Sequence, residues 1–379
     1  MKLGSLFDGS GGFPLAGAMN GMTPVWASEI EPYPLRVTAN RFPCMKQLGD
    51  VTKIDGASID PVDVITFGSP CQDLSVAGKQ TGIHDGKRSS LFFEAVRIIR
   101  EMRGATNGKY PRFAVWENVP GAFSRNKGAD FRAVLQALSE VGGEAVPVPE
   151  PPKGKWAKAG CVVGDGYSLA WRVYDAQYWG VPQRRKRIYL VADFGSERAG
   201  EILFERESMR GDSAQGGEAR EGAAGDAAGG TGRIRVYDCR GNGDGCTVPN
   251  LTGDHENRVT DYTSVCVGNG QMHQTELCDR TGALNCMHDQ QAIIHNAKPP
   301  RRYIVRRLTP LECCRLQGFP DWWEDGANGS DSARYKMWGN GIALPCAADV
   351  MRRIAEECKI CTPLHNAALD LHNKPVVTL

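Results

Sequence analysis

Three stretches of the chain carry residue types able to do covalent and acid–base chemistry. Gly68-Ser69-Pro70-Cys71-Gln72 follows Val62–Phe67, an apolar, β-branched run suited to a strand buried on both faces. This order sets a thiol at the carboxyl end of a strand, on a loop whose backbone Pro70 restricts. An ordinary buried thiol is the bland alternative, and it is the default for most of the thirteen cysteines. Trp116-Glu117-Asn118-Val119-Pro120 ends the next apolar run. Glu117 is therefore a candidate acid or base, with a helix cap or a structural hydrogen bond as its plain alternative. Gln183-Arg184-Arg185-Lys186-Arg187 leads into a third run. Alternation along an extended segment sends Arg185 and Arg187 to one face, and Arg184 and Lys186 to the other. A solvated charge run has the same appearance, but fixed guanidinium donors are what a site needs to hold a carbonyl oxygen or a phosphate.

A fourth stretch, Phe7-Asp8-Gly9-Ser10-Gly11-Gly12, closes one strand and opens a helix. Glycines there let a ligand approach backbone N–H groups and the helix N-terminus. Glu29 follows the second strand, at about the distance where an acid grips a ribose hydroxyl pair. Asp50, after the third strand region, is placed to accept an adenine amino group. Alone, this turn fits a nicotinamide cofactor, another adenosine-type cofactor or a mere tight turn.

The elements that must position these residues alternate along the first half. Lys2–Phe7, Pro24–Ser28, Val62–Phe67, Arg112–Glu117 and Arg187–Val191 read as strands. Gly12–Asn20, Pro34–Asn40, Ser89–Met102 and Asp130–Val141 read as helices. That alternation predicts an α/β fold with a parallel, doubly wound sheet and ligands at its carboxyl edge. Composition changes near residue 195. Residues 206–232 are rich in Gly, Ala, Ser and mixed charge, as a flexible linker is. Residues 233–300 are irregular, with short β-like pieces such as Arg233–Tyr237. A helical pattern returns from about 333, with Leu344–Cys358 suited to pack on the first unit. The expected organisation is a catalytic and cofactor-binding domain over 1–195, a smaller, irregular β-rich domain over 196–332, and a C-terminal helical segment, 333–379, returning to the first.

Bulk properties narrow the class less. A hydrophobic content of 41% and a charged content of 23% are ordinary for a soluble globular protein. The formal net charge of +1 advertises no global basic field, although a local basic cleft can be masked in such a sum. No apolar run approaches the roughly 20 residues that span a bilayer, and no secretory signal opens the sequence. A reducing cytoplasm with free thiols is the expectation. Cys358-Lys359-Ile360-Cys361 has no second ligand pair, so no metal is expected.

Taken in order, these motifs closely resemble the DNA (cytosine-5) methyltransferase family. The likeness runs through Phe7–Gly12, Pro70-Cys71-Gln72, Glu117-Asn118-Val119 and Gln183–Arg187. It continues in Arg307-Leu308-Thr309-Pro310-Leu311-Glu312, Arg315-Leu316-Gln317-Gly318-Phe319-Pro320 and Gly339-Asn340-Gly341. It covers roughly 1–195 and 305–355. The resemblance implies a Rossmann-like methyltransferase sheet, S-adenosylmethionine as cofactor and double-stranded DNA as partner. It implies Cys71 as the nucleophile that adds to cytosine carbon 6, Glu117 as the acid at ring nitrogen 3, Arg185 at the base carbonyl and Arg187 as support near Cys71. Phe7, Gly9, Gly11, Glu29, Ile30, Asp50, Val51, Pro70, Leu91, Asn340 and Ile342 match the cofactor pocket. Ile30 stands where many members carry an aromatic residue, and Gly341 where Ser or Thr is frequent.

The loop Ser75–Ser90 resembles the family's mobile catalytic loop, with Ser75, Lys79, Lys87 and Arg88 for DNA contacts. The second domain lies where the family keeps target recognition, with Arg301 and Arg307 for phosphates or the major groove. A monomer is the family default, and a restriction endonuclease of matching specificity is a compatible but not a required partner. Two rivals remain within the resemblance. A transfer-RNA cytosine methyltransferase would carry a Cys-Phe-Thr signature, which is absent from the sequence. A catalytically silent DNA-binding homologue would have no need of Cys71, Glu117 and Arg185 together. A nicotinamide oxidoreductase explains the glycine turn and Glu29 and leaves the other motifs without purpose.

Overall fold

Apolar runs without a polar face become interior strands. β1 (Lys2–Leu6), β4 (Val64–Phe67) and β5 (Phe113–Asn118) are buried along nearly their whole length. Helices cover both of their faces. The computed structural model describes residues 1–69, 91–143, 146–204, 235–238, 263–266, 293–296, 303–306 and 308–361, with only the backbone described in the four short segments between 235 and 306 and at 359–361.

β1 pairs in parallel with β2 (Thr23–Ser28) on one side and β4 on the other, β2 with the short β3 (Lys46–Gln47), and β4 with β5. Beyond β5 the sheet continues through β8 (Lys186–Asp193), β7 (Ser168–Asp175) and β6 (Ala159–Val163), each antiparallel to its neighbour. The expected all-parallel sheet is corrected on this side. Residues 176–185 between β7 and β8 are too few for a crossover, which takes a dozen or more, so the chain can only turn back. β6 and β7 themselves are additional to the strands expected from the sequence.

The sheet is covered on both faces. α1 (Gly12–Met19) and α2 (Pro32–Arg41) pack on one, α3 (Leu91–Ala105) and α4 (Ala129–Gly142) on the other. Along β5 the alternation is strict: Phe113 and Val115 enter the first core, Ala114 and Trp116 the second. The first core is completed by late sequence: α5 (Ala199–Phe204), α6 (Pro310–Leu316), α7 (Asp331–Asn340) and α8 (Leu344–Cys361). Thr309 and Glu312 form a reciprocal capping box that starts α6. Leu308, Cys313, Cys314, Leu316, Phe319 and Trp323 share this core with Leu3 and Phe13, although composition grouped 308–332 with the second unit. Among the bonds that join the two ends of the chain, Trp323 Nε1 donates to the Ser10 carbonyl at 2.8 Å, and Asn20 Nδ2 to that of Ala348 at 3.1 Å. Within 235–306 the described pieces are two antiparallel ribbons, β9 (Arg235–Asp238) with β10 (Thr263–Cys266), and β11 (Ile293–Asn296) with β12 (Tyr303–Arg306). No described helix is long and apolar enough to cross a membrane.

Candidate active site

The antiparallel register of β5 and β8 places Glu117 opposite Tyr189 and Asn118 opposite Ile188. Opposed residues share a face, so Glu117 and Tyr189 project together, with Arg187 one diagonal away. Glu117 Oε1 lies 2.9 Å from Arg187 Nε, with side chains only 11% and 9% exposed. The contact is Coulombic, without the alignment of a hydrogen bond. A pair this desolvated is mutually dependent, because removing either charge strands the other. Gly68 leaves the space it needs: a Cβ there would lie 3.3 Å from Glu117 Oε2. The adjoining Ser69 ties the strand end to the segment entering Pro70-Cys71. Its hydroxyl accepts from Trp116 Nε1 at 3.2 Å and its carbonyl from Asn118 Nδ2 at 3.1 Å.

Arg185 lies on the same face and is 2% exposed. Its Nη2 donates to the carbonyls of Gly339 and Gly341, at the end of α7. Its Nε and Nη1 have no partner among the described residues. Burial, and after it the Arg187 charge, pull the guanidinium down to about 9, so it stays charged at neutral pH. Buried donors left open are costly unless something supplies an acceptor. Burial also distinguishes the two faces of this segment as alternation requires: Arg185 and Arg187 are buried, Arg184 is intermediate and Lys186 exposed.

A second group of residues lies at the carboxyl ends of β1 and β2. Phe7 and Gly9 both take left-handed backbone angles, φ 56°, which is unusual for a residue like Phe7. A Cβ on Gly9 would meet nothing nearer than 4.0 Å, so the backbone there is open to a ligand. Gly12 is different: a Cβ would collide with Ile342 Cγ1 at 2.5 Å, because the segment after α7 lies directly on this turn. Glu29 is fixed by three backbone donors, Gly9 N–H at 2.8 Å on Oε2, and those of Ile30 and Glu31 at 2.7 and 2.8 Å on Oε1. A carboxylate has about four acceptor positions, so some capacity remains. Ile30 beside it is 67% exposed. Asp50 caps the turn Val51–Lys53, accepting from Thr52 N–H and Oγ1 at 3.0 and 2.8 Å, and the first of these bonds does most to hold its carboxyl below the usual range. Val51 is buried, and Leu91 opens α3 against the same core. Gly341 has a local reason: a Cβ would sit 3.1 Å from Ser10 Oγ, so the Ser10 hydroxyl already takes that space.

Sequence reasoning missed Asp8. Its N–H donates to the Ser28 carbonyl, its Oδ1 accepts from Ser5 Oγ at 2.7 Å, and Oδ2 is buried without a partner among the described residues. Burial raises its carboxyl to about 8, and Glu29 adds to the rise. Tyr189, whose buried hydroxyl also has no partner among the described residues, was likewise not singled out. The only signal for Asp8 is an acid set where an apolar strand meets the glycine turn. Pro70, Cys71, Ser75, Lys79, Lys87, Arg88, Arg301 and Arg307 lie outside the described residues.

Comparison with known proteins finds DNA methyltransferases. The chain is 27% identical to the Type II methyltransferase M1.ScrFI of Lactococcus lactis subsp. cremoris, over 94% of this chain and 79% of that protein. It is 26% identical to the Type II methyltransferase M.HpaII of Haemophilus parainfluenzae, over 93% and 88%. A relative from Escherichia phage P1, named a DNA N-6-adenine-methyltransferase, is 27% identical over 93% of this chain, which spans only 60% of that longer protein. Among solved structures, S. pombe Dnmt2 methyltransferase superposes with a TM-score of 0.54 at 16% identity, covering 95% of this chain and 99% of the other, which is a likeness of fold. The model of the C-5 cytosine-specific DNA methylases matches residues 1–145, 163–215 and 234–356, and on that match the chain belongs to the C-5 cytosine-specific DNA methylase family.

Proposed function

We propose that this DNA cytosine-5 methyltransferase acts on a short sequence in duplex DNA through a covalent adduct between Cys71 and the base, with S-adenosylmethionine as methyl donor. The observation that carries the reading is the buried Glu117–Arg187 pair beside Arg185, whose Nε and Nη1 have no partner among the described residues. Cytosine carbon 5 is a weak nucleophile until carbon 6 is attacked. A Cys71 thiolate adding at carbon 6 pushes electron density into the ring, and Glu117 offsets it by holding a proton at ring nitrogen 3. The open donors of Arg185 suit the ring carbonyl oxygen, where charge also builds. Arg187 keeps Glu117 oriented. Loss of the proton from carbon 5 and expulsion of Cys71 then restore the ring. A stacked base is out of reach of such a site, so the cytosine must be flipped out of the duplex.

The residues around Gly9 fit the donor. The fixed carboxylate of Glu29 suits a ribose hydroxyl pair, exposed Ile30 suits an adenine face, and the backbone at Gly9 is open. When bound, S-adenosylmethionine supplies an electrophilic methyl group. Residues 205–307, between α5 and the segment that returns to the core, would read the target sequence. The Type II names of the relatives support a place in a restriction–modification system, and a bacterial or phage-infected cytoplasm is the compartment we infer.

The test combines purified protein, labelled S-adenosylmethionine, duplex DNA and Cys71→Ser. Bisulfite sequencing should find methylated cytosines in one short context, and none with Cys71→Ser. Label on adenine, as the phage relative's name would have it, or on transfer RNA alone, would sink the assignment.

A further inference from the structure

Two loops beside the active site carry charge that neither the base nor the cofactor uses. Segment 119–128 follows β5 and holds Arg125 and Lys127, and segment 151–158 precedes β6 and holds Lys153, Lys155 and Lys158. Neither segment contains a carboxylate, and all five cations are exposed. Lys127, Lys153, Lys155 and Lys158 face no carboxylate at ion-pair distance among the described residues, whereas Arg125 lies 4.0 Å from the buried Asp130. In a chain whose formal charge sums to +1, this is a local positive field.

Tertiary structure builds these loops into one surface. Trp156 donates from its backbone to the Phe123 carbonyl at 3.2 Å and from its indole to that of Gly128 at 2.8 Å. Its ring meets Phe131 and Trp171 edge-on, which roots the second loop in the core. A Cβ on Gly154 would lie 3.2 Å from Lys127 Cβ, so the two backbones touch. Asn126, Lys127 and Lys153 hold left-handed φ of 47°, 53° and 56°, a conformation uncommon for lysine. The antiparallel half of the sheet fixes the location. The end of β5 and the start of β6, where the Lys158 carbonyl accepts from Val173 N–H at 2.8 Å, lie on the same edge as the Glu117–Arg187 pair.

We propose that these loops grip the phosphates of duplex DNA beside the target cytosine, outside the recognition region proposed for 205–307. The proposal rests on the reading of this chain as a DNA methyltransferase. Duplex DNA presents one charge per roughly 1.7 Å of axis, and exposed lysines meet such a backbone without reading its sequence. The surface therefore adds affinity common to all sequences, while 205–307 supplies discrimination.

Binding of fluorescein-labelled duplexes, with and without the methylated context, is measured by anisotropy across a KCl series. The proteins are wild type, a triple Lys153→Gln, Lys155→Gln, Lys158→Gln variant, and Lys109→Gln near the opposite edge. The triple variant should bind both duplexes about 10- to 100-fold more weakly at low salt, and its salt slope should fall by about 2–3. Its S-adenosylmethionine affinity by calorimetry should match wild type, and Lys109→Gln should behave as wild type throughout. A triple variant with wild-type slope and affinity, or an equal loss from Lys109→Gln alone, overturns the proposal. So does lost binding to a transfer-RNA transcript with duplex affinity intact. A wild-type protein that binds neither duplex overturns the DNA reading itself, and this surface with it.

Discussion

The two ends of the active edge are built from different materials. At the end proposed for the cofactor, backbone does the holding: Glu29 is fixed by three main-chain N–H groups, and Gly9 exposes its own main chain. At the end proposed for the base, side chains do it: Glu117, Arg185 and Arg187 are each less than a tenth exposed, and their charges answer one another. Backbone donors are present whatever the side chains are, so the first end should tolerate substitution. Buried charges have no such reserve, and the second end should not.

Glu117→Ala tests this most severely. It leaves Arg187 charged and buried without its counter-ion, and we expect a loss of about 3–5 kcal/mol in stability. Methyl transfer should fall at least 100- to 10,000-fold, on the order of an acid–base contribution. Unchanged denaturant midpoint and turnover would show that the pair is ornamental. Arg185→Met separates function from stability at the same end. Two unpartnered donors leave with it, offsetting the lost bonds to Gly339 and Gly341, so the midpoint should move by no more than about 1 kcal/mol. Transfer should still fall by about 100- to 1,000-fold, with cofactor affinity unchanged by calorimetry. A large stability loss would mean that Arg185 is structural first.

Asp8 is the exception at the cofactor end, a buried carboxyl among backbone contacts. Its folded value near 8 lies above the unfolded 3.8, so between those values the folded state holds the extra proton. Stability must therefore fall as pH rises from about 4 to 8 and level off above, relative to Asp8→Asn, which lacks the group. Parallel melting-temperature profiles for the two proteins over that range would remove Asp8 from the account. The smallest effect is expected at Ile30, which is open to solvent. Ile30→Trp should tighten S-adenosylmethionine about 3- to 10-fold by giving the adenine a larger face. Weaker binding by calorimetry would show that the adenine lies elsewhere.

The same contrast governs what could be read in advance. Glycine turns, buried strands and the Arg185/Arg187 alternation are local properties with fixed periods, so they were legible in the residues themselves. Glu117 was legible as an acid at a strand end, but its partner was not. Arg187 faces Glu117 because β8 runs antiparallel to β5, while its expected place near Cys71 lies outside the described residues. Asp8 carried almost no signal, since its raised carboxyl comes from burial, which only the folded chain imposes.

The sequence by itself determined the α/β alternation, the chemistry available at Cys71, Glu117 and Arg185, and the glycine turn. Each depends on neighbours within a few positions. Tertiary structure alone decided that residues 339–342 close over residues 8–12, that β6–β8 turn back along the sheet, and that lysines of two separate loops meet at the edge where Glu117 lies. Those outcomes depend on which apolar faces find one another across hundreds of residues and on connections too short to cross over, and no local pattern encodes either.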